Sequence, residues 1–231
     1  MSTVLITGAN RGLGLEFCRQ YAEDNWTVIA CCRDLSKASA LTQLAGQHDN
    51  IHLHALDIAD FSQIDALSSK LSSIAIDVLL NNAGVYDDKS EHGFGQLDYQ
   101  AWQHSMLINT LAPVKMTEVF LSHIKRGEQK LIVTISSLMG SLADNTSGGS
   151  ILYRSSKAAV NAAMRSVSID LKKEAIGVLI FHPGWVKTDM GGANAPTLPT
   201  ESIAGMRQVI ASFSLEQSGN FVQYDGKTMP W

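Results

Sequence analysis

Short apolar runs alternate along this chain with longer stretches of helical period. The runs are Val4-Leu5-Ile6, Thr27-Val28-Ile29-Ala30-Cys31, Ile51-His52-Leu53-His54-Ala55, Val78-Leu79-Leu80, Leu131-Ile132-Val133-Thr134-Ile135, Val178-Leu179-Ile180-Phe181 and, more weakly, Asn220-Phe221-Val222. Most are continuous rather than alternating, as strands covered on both faces are. In the third run His52 and His54 alternate with Ile51 and Leu53, so both are expected to point away from the core. The helical stretches are 12–24, 35–45, 61–74, 97–125, 151–175 and 201–211. Strands joined by helices of this length are parallel, because parallel pairs need crossover connections, and those are right-handed. The pattern predicts an α/β fold: a doubly wound, seven-stranded parallel sheet with helices on both faces. Asp60 is expected to cap the third helix, and Pro113 to kink or restart the fourth.

No internal repeat, charge run or low-complexity linker divides the chain, so residues 1–231 read as one domain. Two loops are long, 84–96 and 184–200, and the second carries Gly184, Gly191, Gly192, Pro196 and Pro199. Long loops in a compact domain are usually lids or binding loops, and 184–200 is expected to be the substrate-binding loop. Hydrophobic residues make up 45% of the chain and charged residues 17%, against about 25% charged in an ordinary globular domain. That composition excludes a disordered chain. A net charge of −4 lacks the basic footprint of a nucleic-acid partner. With no apolar run near the ~18 residues that span a bilayer and no leader or lipidation pattern, the expectation is a cytoplasmic protein without a membrane partner. Cys18, Cys31 and Cys32 are expected to be reduced and mostly buried. The seven histidines show no metal-ligand spacing, so no metal is expected.

The first chemistry lies in Thr7-Gly8-Ala9-Asn10-Arg11-Gly12-Leu13-Gly14, which follows the first strand and opens the first helix. Glycines at G-x-x-x-G-x-G permit a tight turn, and the helix start offers free N–H groups to a pyrophosphate. Gly8, Asn10, Arg11, Gly12, Leu13 and Gly14 are therefore candidate cofactor-binding residues. About 20 positions past the glycines, a carboxylate would select NAD by binding a ribose hydroxyl. Here Cys32 and Arg33 stand instead. Arg33, helped by Arg11, can grip a 2′-phosphate, which predicts NADP(H) as cofactor. Asp34 is expected to be the N-cap of the next helix.

Tyr153 and Lys157 stand at i and i+4, on one face of a helix. A phenol of pKa ~10 is a poor acid or base at neutral pH, and a neighbouring ammonium favours its phenolate. Such a tyrosine can exchange a proton with a substrate oxygen. Ser136-Ser137 closes the fifth strand and Asn81-Asn82-Ala83-Gly84 the fourth, both at the sheet edge where ligands bind. Asn109 sits inside an apolar helical stretch and needs hydrogen-bond partners.

Taken in order, Thr7–Gly14, Asp57, Asn81–Gly84, Asn109, Ser137, Tyr153 with Lys157, Pro183-Gly184 and Thr188 resemble the single-domain short-chain dehydrogenases/reductases. The run from His182 to Gly192, with Tyr224-Asp225-Gly226 and Pro230-Trp231, is similar to the branch of Sniffer-type carbonyl reductases and C-factor-like proteins. The resemblance implies a Rossmann-type fold and a catalytic tetrad. Tyr153 would be the general acid/base, Lys157 would tune it and hold the nicotinamide ribose, Ser137 would hold the substrate oxygen, and Asn109 would hold a water in a proton relay. It also places Asp57 and Ile58 at the adenine, Asn81 along the adenine ribose with Ala83 and Gly84 beside it, and Pro183, Gly184, Val186 and Thr188 at the carboxamide end. Ser137 and Tyr153 are 16 residues apart, longer than the family's usual spacing, with the excess in Asn145–Gly149. Ser136 is the alternative to Ser137 if the register differs by one.

Val85, Tyr86, Met139, Leu142, Trp185 and Met190 are the candidate lining of the substrate mouth, with Met139, Trp185 and Met190 contacting substrate beside Ser137 and Tyr153. An apolar mouth with two convergent hydroxyls suits a small lipophilic aldehyde or ketone; Lys187 leaves an anionic substrate open. The resemblance implies reduction of that carbonyl with NADPH, reversible to alcohol oxidation. Association of the C-factor-like relatives with intercellular signalling gives the alternative, a nucleotide-binding signalling protein. Relatives also pair through two long helices, here 97–125 and 151–175, so a homodimer is expected.

Overall fold

The computed structural model describes residues 2–89, 91 and 93–231. Ser90 and His92, within the 84–96 loop, and Met1 lie outside the described residues. The strands are β1 (Thr3–Thr7), β2 (Thr27–Cys32), β3 (Ile51–Ala55), β4 (Val78–Asn81), β5 (Leu131–Ile135), β6 (Gly177–His182) and β7 (Asn220–Gln223). They form one sheet in the order β3-β2-β1-β4-β5-β6-β7, parallel at every pairing. The helices are α1 (Gly12–Glu23), α2 (Ser39–Ala45), α3 (Phe61–Lys70), α4 (Tyr99–Met106), α5 (Ala112–Arg126), α6 (Ile151–Asp170) and α7 (Pro199–Ala211).

Side chains alternate across the sheet and split the core in two. Val4, Ile6, Val28 and Cys32 meet Phe17 and Tyr21 of α1, Leu41 of α2 and Met206 of α7 on one face. Leu5, Ile29 and Cys31 meet Ile64 of α3, Phe120 of α5 and Met164 of α6 on the other. Both faces are therefore buried, which is why the runs read as continuous. Each such side chain contributes about 1.5–3 kcal/mol through burial. The three cysteines are free and buried. β3 is an edge strand, with His52 exposed and His54 half-buried.

The helices differ from the sequence expectation where chain chemistry interrupts the period. Asp60 caps α3 through the Ser62 N–H, but Asp34 caps a short 3-10 turn, Leu35–Lys37, ahead of α2. The stretch 97–125 is not one kinked helix. α4 passes through a π-helical turn, Leu107–Leu111, into α5, with Pro113 in its first turn. The π turn directly before it is where the helical ladder takes in a residue that cannot donate. α7 starts at Pro199, whose missing N–H would have no intrahelical partner after the extended Leu198, earlier than the expected 201. α6 ends at Asp170 and tightens into a 3-10 turn over Leu171–Glu174. No described helix is long and apolar enough to cross a membrane.

The strand order reverses at β1, between β1 and β4. In such a sheet the crevice outside the carboxyl ends of the strands is where a ligand sits. The ends of β1, β4, β5 and β6 all open onto it.

Candidate active site

The turn after β1 is built for close approach. Gly12 has φ +53°, and a side chain at Gly14 would lie 2.1 Å from the Gly8 carbonyl oxygen. At Gly8 a side chain would meet the Ala83 backbone at 2.8 Å. The turn is tied to β4 by Thr7, whose hydroxyl accepts the N–H groups of Asn82 and Ala83, each at 3.1 Å. The Asn82 amide donates to the carbonyls of Thr7 and Gly8. Arg11, the N-cap of α1, makes no side-chain cap bond, and the first turn holds no acidic residue. Its leading N–H groups are left for an anion.

The catalytic candidates meet at the next two strand ends. Ser137 follows β5 in extended backbone and accepts the Met139 N–H at 3.1 Å. Ser136, the alternative, is buried, and its hydroxyl donates to Asn161 Oδ1 at 2.5 Å. Tyr153 lies in the first turn of α6. Burial pushes its phenol up to about 12, opposed by the hydrogen bond with Ser137 and reinforced by Tyr86. Lys157, 4% exposed, is pulled down to about 8 by burial. Its Nζ lies 5.7 Å from the centre of the Tyr153 ring. The phenol therefore lies above its ordinary value through loss of water, where the sequence expectation has it lowered by its lysine.

The π turn serves the same place. Asn109 Nδ2 donates to the Val85 carbonyl at 2.9 Å and to Ser156 Oγ at 3.0 Å, while its Oδ1 accepts the Val85 N–H at 2.9 Å. Thr110 bonds the Ser156 carbonyl at 2.8 Å. The widened turn therefore presents two consecutive polar side chains to α6 between Tyr153 and Lys157. Gly84 lies against both groups: a side chain there would come within 3.4 Å of Lys157 Nζ and 3.2 Å of Asn109 Oδ1.

The loop after β6 is braced internally. Val186 pairs with Thr197, Lys187 N–H donates to the Thr197 carbonyl, and Trp185 Nε1 donates to the Gly191 carbonyl at 2.7 Å. Ser202 Oγ holds the Pro183 carbonyl at 2.6 Å. Thr188 stands over the glycine turn, where a side chain at Gly12 would touch its methyl at 3.4 Å. Arg11 donates to Asp189 of this loop at 2.9 Å.

Other candidates are placed less directly. Arg33 is exposed at the end of β2. Asp57 bonds Gln63 and Ala59, and Ile58 packs into the core. The Asn81 amide turns into the interior, to Pro113 O and Thr117 Oγ, so its neighbour Asn82 braces the glycine turn. Of the proposed mouth, Tyr86 lies on Tyr153, with ring centres 5.0 Å apart, while Trp185 and Met190 are about half exposed and Leu142 stands out on the 141–150 loop.

Two site neighbours escaped the sequence reading. His182 Nδ1 accepts the Leu138 N–H at 3.1 Å beside Ser137, and burial holds the ring neutral, at about 4, against the pull of Asp144. Its place in a strand-end His-Pro-Gly was the available signal. Asp88 carries no such signal.

The short chain dehydrogenase model matches residues 2–198. The chain is 40% identical over 166 residues to the "C-signal" protein of Myxococcus xanthus, covering 72% of this chain and 99% of that protein. It superposes on carbonyl reductase Sniffer of D. melanogaster with a TM-score of 0.93 at 33% identity, covering 100% of both chains. An NADPH-bound carbonyl reductase from chicken fatty liver gives a TM-score of 0.92 at 32% identity, covering 100% of this chain and 99% of that one. With its motifs, its parallel sheet and its strand-end site all in place, the chain belongs to the short chain dehydrogenase family.

Proposed function

We propose that this protein is an NADPH-dependent oxidoreductase that reduces the carbonyl of a small lipophilic aldehyde or ketone, and reversibly oxidises the alcohol. The observation that carries this reading is the meeting of Ser137, Tyr153 and Lys157 at the sheet edge, beside a glycine turn that leads into an uncapped helix. Likeness to two carbonyl reductases, one of them NADPH-bound, supports it.

The glycine turn and the start of α1 fit a pyrophosphate, and Arg33 with Arg11 would hold a 2′-phosphate. Asp57, Ile58 and Asn81 would line the adenosine half, with Ala83 and Gly84 along the cleft. Pro183, Gly184, Val186 and Thr188 would hold the carboxamide end. When bound, NADPH supplies a hydride for the carbonyl carbon. Tyr153 donates its hydroxyl proton to the carbonyl oxygen. A phenol held at about 12 is fully protonated at neutral pH, which suits this direction. Ser137, already accepting from Met139, has its own hydroxyl proton to offer the same oxygen. Lys157 would hold the nicotinamide ribose and return the proton, with Asn109 placing a water. Apolar walls from Val85, Tyr86, Met139, Leu142, Trp185 and Met190 favour lipophilic substrates.

The test follows NADPH absorbance over a panel of aldehydes, quinones and cyclic ketones. Turnover of at least one class supports the reading, and none across the panel rejects it.

Similarity to C-signal supports a second reading, a nucleotide-binding signalling protein whose turnover is secondary. A Tyr153→Phe variant that keeps such an activity would favour it. We also propose a homodimer through α4, α5 and α6, where Leu111 and Ile169 are 52% and 60% exposed. Sedimentation showing only monomer rejects it.

A further inference from the structure

Four consecutive residues of the 84–96 loop each anchor to the elements around the site. Val85 is held at its N–H and its carbonyl by Asn109. Tyr86 tilts its ring over Tyr153, and its hydroxyl lies 2.6 Å from Ser150 Oγ. Asp87 accepts from Ser105 at 2.8 Å and lies 2.9 Å from His104 Nδ1, both on α4. Asp88 takes the Leu152 N–H on one carboxylate oxygen at 3.1 Å and the Tyr153 N–H on the other at 2.8 Å.

α6 does not cap itself. Ser150, which precedes it, has φ +45° and makes no side-chain cap bond. That left-handed conformation is unfavourable for a residue other than glycine. The first N–H groups of a helix lack intrahelical partners, and here a carboxylate 65 residues away in sequence supplies them. A negative group also complements the positive end of the helix. The placement of the first turn of α6 is therefore imposed from outside the helix, and Tyr153 sits in that turn.

We propose that Asp88 and Tyr86 are positioning residues for Tyr153, Asp88 fixing its backbone and Tyr86 its ring. The proposal rests on Tyr153 acting as the proton donor. Displacing a reacting group by about 1 Å costs on the order of 10² in rate, so a clamp on this turn acts on kcat more than on cofactor binding.

The experiment compares Asp88→Ala, Asp88→Asn and Tyr86→Leu with the parent, using NADPH and 4-nitrobenzaldehyde, with Tyr153→Phe as control. Asp88→Ala is expected to lower kcat about tenfold or more, leaving the NADPH Kd within about twofold. Asp88→Asn, whose amide oxygen can still accept the Tyr153 N–H but whose NH₂ cannot accept the Leu152 N–H, should recover part of kcat relative to Asp88→Ala. A lowered Tm in Asp88→Ala with parental kcat means a merely structural cap and overturns the proposal. Should Asp88→Ala not fold, Tyr86→Leu decides: a loss of kcat with both the NADPH Kd and the aldehyde KM unchanged supports the clamp, and parental kcat, or an effect confined to the aldehyde KM, overturns it. Lost turnover in Tyr153→Phe beside parental kcat in the clamp variants rejects the clamp alone. Parental turnover in Tyr153→Phe rejects the underlying reading.

Discussion

Lys157 reaches past Tyr153 to the sheet: its Nζ donates to the Ile135 carbonyl oxygen at 2.9 Å. The ammonium is thus anchored to the last residue of β5, one position before the two serines. This anchor holds it at the strand end while leaving it almost without water.

That burial has a consequence for stability. Lys157 is lowered from 10.5 to about 8, so between those values the unfolded chain holds a proton that the folded chain lacks. Stability from this group rises with pH across the window, and its penalty is fully present below about 8. Tyr153 and the three buried thiols are raised and act in the opposite sense, but equally in parent and variant. The stability difference between Lys157→Met and the parent should therefore shift in favour of the parent by a few kcal/mol, on the order of 3, from pH 7 to pH 10.5. Urea denaturation across that range checks it; a constant difference refutes it.

Tyr153→Phe removes the donated proton but keeps the ring against Tyr86. Turnover should fall by roughly 10²–10⁴, with NADPH affinity unchanged. Steady-state kinetics with fluorescence titration of NADPH separates the two.

Arg11 already has one acceptor in Asp189, with which the proposed 2′-phosphate would compete. It pairs with Asp189 at 2.9 Å, both side chains about 70% exposed, and an exposed pair is worth about 0–1 kcal/mol. Asp189→Asn should therefore tighten NADPH by no more than about fivefold, and less at high salt. Arg33→Glu should reduce the preference for NADPH over NADH. Titrations with both nucleotides check both variants; an Arg33→Glu variant with the parental preference refutes the role of Arg33.

Gly14→Ala places a methyl 2.1 Å from the Gly8 carbonyl oxygen, so the turn must open. Nucleotide binding should be lost while the far-UV spectrum stays folded. Calorimetric titration measures this, and parental affinity contradicts it.

Much of the architecture is legible locally. Seven strands fall where continuous apolar runs stand, because a sheet buried on both faces leaves no polar alternation. The glycine turn is legible because only those residues tolerate its close approach. The order of Ser137, Tyr153 and Lys157 is legible because strand ends and an i, i+4 spacing place them together.

Other features have no local signature. The π turn at Leu107–Leu111 is legible only as an odd asparagine in an apolar stretch, since the bonds that Asn109 makes there reach Val85, 24 residues away in sequence. Whether Asn81 or Asn82 braces the glycine turn depends on which side chain faces α5.

The sequence by itself determined the sheet, the glycine turn and the grouping of Tyr153 with Lys157, because apolar period, glycine placement and short spacings act over a few residues. Only the tertiary structure decided the directions in which Tyr153 and Lys157 shift and the capping of the helix that carries them. Desolvation depends on everything packed around a group, and the Asp88 cap comes from a loop distant in sequence.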